Sequence, residues 1–323
     1  MLRSALGEAR VEQVKHLRAR FGEALLRLDV GLVEAYPIED YIRSLDQWER
    51  RRGYYFVPPE LDRTCAAILA SVGVAGLEIY HRLVLLAMIA DFDGRRARHR
   101  IPDSIAALIR VEFERILSSL EQAEEGFFLL DNDLFLKDLG LCRLKLLPCG
   151  PEVVDIWSGI PRRTLLQGGP RQFIECARFL RRLGGFGPYY GSHWDRRLVR
   201  QFTEANYERL YERVAELLRL NPEIKGFCGG SWWFDPEVAE ISPELDFLSR
   251  TPLDNGARLF RVGTSDLVVT QSLKFSRRRR EVYEAGRYRP CGYLMVWGRA
   301  DLLEWARRRD FAHDDEADGS TGH

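Results

Sequence analysis

The chain has no C-x-x-C pair. Its six cysteines, Cys65, Cys142, Cys149, Cys176, Cys228 and Cys291, are scattered, which argues against a zinc knuckle and against a disulfide framework. Net charge is missing too. Over 323 residues, 48 Lys and Arg balance 48 Asp and Glu, so no global field draws the protein to nucleic acid or to an anionic membrane. No run approaches the ~18 consecutive apolar residues of a membrane span. The N-terminus, MLRSALGEARVEQVKHLRARFGEALL, lacks the apolar core of an export signal. No internal repeat is evident. These absences predict a soluble, cytoplasmic protein with no membrane or nucleic-acid partner, and they leave the oligomeric state open.

What is present divides by pattern. Residues 1–125 read as a helical region. Val11, Val14, Leu17, Phe21, Leu25 and Leu28 recur at helical steps, and Leu77 to Ala90 is apolar nearly all round, as expected of a buried helix. After Gly126 the pattern changes. Phe127 to Leu136, Leu141 to Leu147 and Val153 to Trp157 are short apolar runs between turn residues, which is a strand signal. Further strands are expected at Ile224 to Phe234, Val238 to Ile241, Leu267 to Ser272 and Tyr293 to Trp297. Helices are expected at Pro170 to Leu183, Phe202 to Leu220, Phe275 to Ala285 and Ala300 to Arg309. Residues 312–323 are polar and acidic and read as a disordered tail. Helices followed by mixed strands and helices predict an α+β architecture, a helical region docked on a mixed-sheet α/β domain over 126–311.

Several constellations carry possible chemistry. Glu78 and His81 form an E-x-x-H on the buried helix, with Asp91 and Asp93 downstream. A di-metal site needs a second such pair and further carboxylates, so the expectation is a histidine satisfied inside a helical bundle and no metal. The stretch from Gly184 to Asp195 gathers Tyr189, Tyr190, His193, Trp194 and Asp195, either as the edge of a site or as aromatics pinning a loop. Gly229-Gly230-Ser231 precedes Trp232, Trp233 and Asp235. On a strand one tryptophan would line a pocket while the other packs, and Asp235-Pro236 also suits a turn. Glu240 and Glu244 follow, as site or surface groups. Arg277 to Arg280 is the strong basic block; on a helix it points around most of the circumference and reads as solvated charge.

From Leu267 the order of an apolar run, the helix FSRRRREVYEAG and the strand RYRPCGYLMVW resembles the closing segment of the GNAT N-acetyltransferase superfamily. The matching residues are Arg279, Arg280, Tyr283, Glu284, Gly286, Tyr288, Pro290 and Gly292. The resemblance implies that Tyr283 serves as general acid to a departing thiolate, a role a phenol with a pKa near ~10 can fill. It implies that VAEISPELDFL is the family's central strand. The turn Asp254-Asn255-Gly256-Ala257 would then present Asn255, Gly256 and Ala257 to a pyrophosphate.

The function so implied is transfer of an acyl group from a CoA or carrier-protein thioester to an amine on a small or carrier-bound substrate, with no cofactor beyond that co-substrate. His193, Glu240 or Glu244 would take the amine proton, and Tyr190, Trp232, Trp233 and Asp235 would contact substrate. The family's usual glycine-rich phosphate run is absent, and this feature would favour a non-catalytic binding or regulatory module. A metal-dependent enzyme built on Glu78, His81 and Asp91 is the other alternative.

Overall fold

The computed structural model describes residues 7–319. They fall into two compact units. The first runs to Pro148 and takes back Asp155–Trp157; the second comprises Cys149–Val154 and the chain from Ser158 onward. The architecture is α+β, as the order of patterns predicted.

The first unit is helical: α1 (Glu8–Leu28), α2 (Leu32–Ala35), α3 (Ile38–Asp46), α4 (Pro59–Ala90), α5 (Phe92–Arg98), α6 (Asp103–Gln122) and α7 (Asp133–Cys142), then the short strand β1 (Leu146–Pro148). The amphipathic stripe of α1 does what its spacing predicts, burying Val14, Leu17 and Leu25. The second half of α4 is the centre of the unit, with Tyr80, Val84, Leu85, Leu86, Met88 and Ile89 fully shielded. Among the described helices α4 is long and apolar enough to cross a membrane. However, 61% of its most apolar stretch is buried in the protein, and Gly73 (φ 70°) interrupts the helix.

Of the runs expected as strands, Phe127 to Leu136 ends inside α7, and Leu141 to Leu147 begins in α7 and ends in β1. Asn132, which punctuates the sequence, is the helix N-cap, its side chain accepting from Leu134 N–H at 3.0 Å. Every residue from Leu134 to Cys142 is buried, so no helical period shows in the sequence.

The second unit places the rest of β2 (Glu152–Ser158), β3 (Tyr189–Trp194), β4 (Gly226–Ser231), β5 (Arg258–Gly263) and β6 (Gly292–Gly298) in the spatial order β2-β3-β4-β6-β5. Its helices are α8 (Thr164–Gln167), α9 (Gly169–Arg182), α10 (Glu204–Leu220), α11 (Pro236–Ile241), α12 (Phe247–Asp254), α13 (Asp266–Lys274), α14 (Arg277–Glu284) and α15 (Arg299–Gly319). β3 and β4 are parallel and joined by α10; β4–β6 and β6–β5 are antiparallel.

Alternation along the strands fixes the two faces. Tyr189, Cys228, Phe260, Leu294 and Val296 pack against Cys176, Phe179 and Leu180 of α9. On the other face Tyr211 of α10 meets the rings of Phe227 and Trp297 edge-on, at 6.1 and 5.3 Å. The outer strand β5 is protected by a side chain. Gln172 of α9 donates to Arg261 C=O at 2.9 Å and accepts from Arg261 N–H at 2.8 Å, taking the place of a neighbouring strand.

Two β-branched runs expected as strands are helices. Asp235 caps α11 by accepting from Glu237 N–H, and Ser265 caps α13 by accepting from Val268 N–H. In both, a cap just before the run outweighs the local strand propensity. The segment named as the central strand of the family is therefore α11 and the turn after it. α15 continues to Gly319, into the segment expected to be a disordered tail; residues 320–323 lie outside the described residues.

Candidate active site

β3 and β4 run side by side from Tyr190↔Phe227 through Gly191↔Cys228 to Ser192↔Gly229. Beyond this register β3 continues to Trp194, while β4 stays paired with β6 as far as Ser231↔Tyr293. The chain leaves β3 to form α10 on one face of the sheet. The carboxyl ends of two parallel strands joined in this way are where open α/β sheets gather ligands.

Ser192 and Gly229 sit at that point on the α10 face. A Cβ on Gly229 would lie 2.2 Å from Ser192 Oγ and 4.0 Å from the Phe234 ring, so the glycine leaves room for the hydroxyl. Behind Ser192 lies Glu152 of β2, 4% exposed. Tyr207 O–H donates to its carboxylate at 3.2 Å, and the Ser192 hydroxyl lies close enough to favour the charged form. Burial pushes this carboxyl up from the ordinary 4.5 to about 7, against the pull of those two hydroxyls. A buried carboxylate held by hydroxyls and poised near neutral pH is suited to move a proton.

The surroundings are aromatic. Trp232–Phe234 form a turn of 3₁₀ helix directly after β4, not the extended strand expected, so the two tryptophans do not alternate across a sheet. Their rings meet at 5.6 Å, and Trp233 also meets Phe202, just before α10, at 5.7 Å. Trp233 Nε1 is shielded and has no hydrogen-bond partner among the described residues. Thr203 caps α10, its hydroxyl accepting from Asn206 N–H, and the exposed Arg196 and Arg200 precede it.

The residues singled out from sequence are dispersed. His193 and Trp194 end β3, beside the cluster. Tyr190 is core, 2% exposed, with its hydroxyl donating to Leu217 C=O. Asp235 is structural: besides capping α11 it accepts from Cys291 N–H at 3.0 Å. Glu240 and Glu244 are exposed on α11 and the turn after it. Tyr283 lies on α14, 38% exposed. One turn earlier Arg279 is buried, stacking over Trp232 at 4.6 Å and donating to Ser242 Oγ and Ser272 C=O. The basic block thus contributes one anchor, and its other three arginines are exposed.

In the Asn255–Ala257 turn all three amide N–H groups are bonded within the turn, to Pro252 and Leu253 carbonyls. Asn255 C=O accepts from Trp297 Nε1. In the first unit Glu78 and His81 are bonded to Phe128, and Asp91 pairs with Arg95 and Arg98. Among the described residues no group of three or more His, Cys, Asp or Glu is placed to hold a metal ion.

Sequence reading missed Glu152. It opens a β-branched run in which nothing marks the carboxylate as inward-facing, and its partners Ser192 and Tyr207 are distant in the chain.

No family model matches this chain, and no curated protein does. Among solved structures it is similar to an acyltransferase in complex with decanoyl-CoA, at 15% identity and a TM-score of 0.48, over 81% of this chain and 75% of that one. It is also similar to an acyltransferase mutant in complex with octanoyl-CoA, at 14% identity and a TM-score of 0.45, over 84% and 80%. A third likeness is to an acyltransferase with decanoyl-CoA and teicoplanin, at 15% identity and a TM-score of 0.40, over 88% and 99%. These likenesses are too distant to assign a reaction to this chain.

Proposed function

We propose that the second unit is an acyltransferase that moves an acyl group from a CoA thioester to an amine, with the reaction centred where β3 and β4 part. The observation that supports this reading most is Glu152, a buried carboxylate bonded to Tyr207 and beside Ser192 at the ends of parallel strands. The thioester arm lies along the end of β3. Its phosphates meet the first amides of α10, where a helix N-terminus favours anions, together with Arg196 and Arg200. The Asn255–Ala257 turn is not used, because its amides are already bonded.

In this reaction the amine nitrogen attacks the thioester carbonyl, the new C–N bond forms and the C–S bond breaks. The amine proton passes through the Ser192 hydroxyl to Glu152, and the thiolate leaves and is protonated. The test is incubation with acyl-CoAs of graded chain length and a panel of amines, read as free thiol and product mass, alongside calorimetric titration with CoA. Absence of both binding and turnover would remove the reading.

A further inference from the structure

On the opposite face of the sheet from Ser192 and Gly229, a cavity of about 350 Å³ opens between α9 and the start of β5. Its floor is formed by the edges of two core rings, Phe179 and Phe260, 8% and 3% exposed and 5.8 Å apart. Its rim is cationic, formed by Arg178, Arg182 and Arg258. Arg178 has no ion pair among the described residues, and Arg258 donates only to the carbonyl of its neighbour Ala257. Arg182 stacks over Phe179 and reaches Asp301 at 3.4 Å. The one acidic lining residue, Glu175, is engaged by Arg171 at 3.0 Å.

A floor of two phenyl rings favours an apolar body. Guanidinium groups above it favour a carboxylate or phosphate, which they bind through paired N–H donors. The volume is at the small end of ligand sites. None of these residues belongs to the Ser192–Glu152–Tyr207 cluster.

We propose that the α9–β5 cavity is a second binding site, for an amphipathic organic anion that lays its apolar body on Phe179 and Phe260 and its head between Arg178 and Arg258. It does not depend on the acyltransferase reading.

The experiment uses the full chain with octanoate, octyl phosphate, 1-octanol and inorganic phosphate, followed by amide chemical shifts and calorimetry. Saturable shifts on α9 and β5 with one or both amphipathic anions are expected, and the stronger of the two tells carboxylate from phosphate. 1-Octanol and inorganic phosphate should each bind at least ~10-fold more weakly. Arg178→Ala and Arg258→Ala, both at exposed positions, should weaken the anions about 10-fold with the melting temperature unchanged, whereas Glu152→Gln should leave their binding intact. Equal binding of 1-octanol, unchanged affinity in both arginine variants, or shifts confined to the α10 face would overturn the proposal.

Discussion

Glu78 and His81 hold the two polar groups of a single residue. Glu78 Oε1 accepts from Phe128 N–H at 3.0 Å, and His81 Nδ1 donates to Phe128 C=O at 2.6 Å. A carbonyl only accepts, so the ring proton sits on Nδ1. Nε2 is then the acceptor for the Tyr41 hydroxyl at 3.0 Å. The three-residue spacing that could suggest a metal ligand pair instead clamps a turn of the first unit to α4.

That tautomer must stay neutral. Burial pushes the His81 imidazole down from 6.5 to about 4, so between those values the unfolded chain binds the proton and the folded chain does not. The stability contributed is present above pH 6.5 and lost as pH falls through that window, by roughly 3 kcal/mol in full. Urea denaturation at successive pH values should show His81→Asn less stable at pH 7 by about 1–3 kcal/mol, with a shallower acid decline. Parallel pH curves for the two proteins would count against this account.

Glu152 has the opposite sign. Its folded pKa lies above its unfolded one, so stability is greatest below pH 4.5 and falls as pH rises to about 7. The loss is roughly 3 kcal/mol at most. Glu152→Gln should therefore be more stable than the parent at pH 8 and should lose the rising limb of any acyl-transfer pH profile near 7. Unchanged turnover in this variant would exclude Glu152 from the chemistry while leaving CoA binding to be judged separately.

Two glycines of β4 should respond differently to alanine. At Gly226, φ is 154° and a Cβ would lie 2.1 Å from Trp297 C=O, a backbone atom of the adjoining strand. Gly226→Ala should cost more than about 3 kcal/mol. At Gly229 the obstruction is the Ser192 hydroxyl, which can rotate. Gly229→Ala should leave the melting temperature nearly unchanged while turning Ser192 from Glu152 and reducing activity. Comparing melting and turnover of the two variants tests whether Ser192 serves the reaction or merely packs.

Gln172→Ala should uncover the β5 edge. Two hydrogen bonds to Arg261 are lost, for about 1–3 kcal/mol, and Arg261 N–H and C=O are left for another strand. Concentration-dependent association, seen by light scattering, is expected in the variant and not in the parent.

Much of the frame was legible in the sequence because water writes it there. The stripe of α1, the apolar α4 and the amphipathic α10 each have a wet side that sets the period. α7 was not legible, since a helix buried all round carries no stripe, nor were α11 and α13, whose β-branched residues suggest strand. The strand expected at Tyr293 to Trp297 is β6, whereas the run beginning at Val238 is helix and turn because Asp235 caps it. In the parallel unit β3–α10–β4 the helix and β4 were legible, and only β3 lies in a glycine- and tyrosine-rich stretch that read as a loop. Glu152 stayed hidden because a carboxylate in a strand looks solvent-facing until the hydroxyls of Ser192 and Tyr207 arrive from elsewhere.

All six cysteines are buried, and burial pushes the thiols of Cys65 and Cys176 up to about 11 and that of Cys149 to about 12. Cys65 and Cys142 belong to the first unit and the other four to the second. The protein therefore carries its own clock for conformational opening. A thiol reagent can modify each site only when its surroundings breathe, and peptide mass mapping over time would rank the two units by how often they come apart.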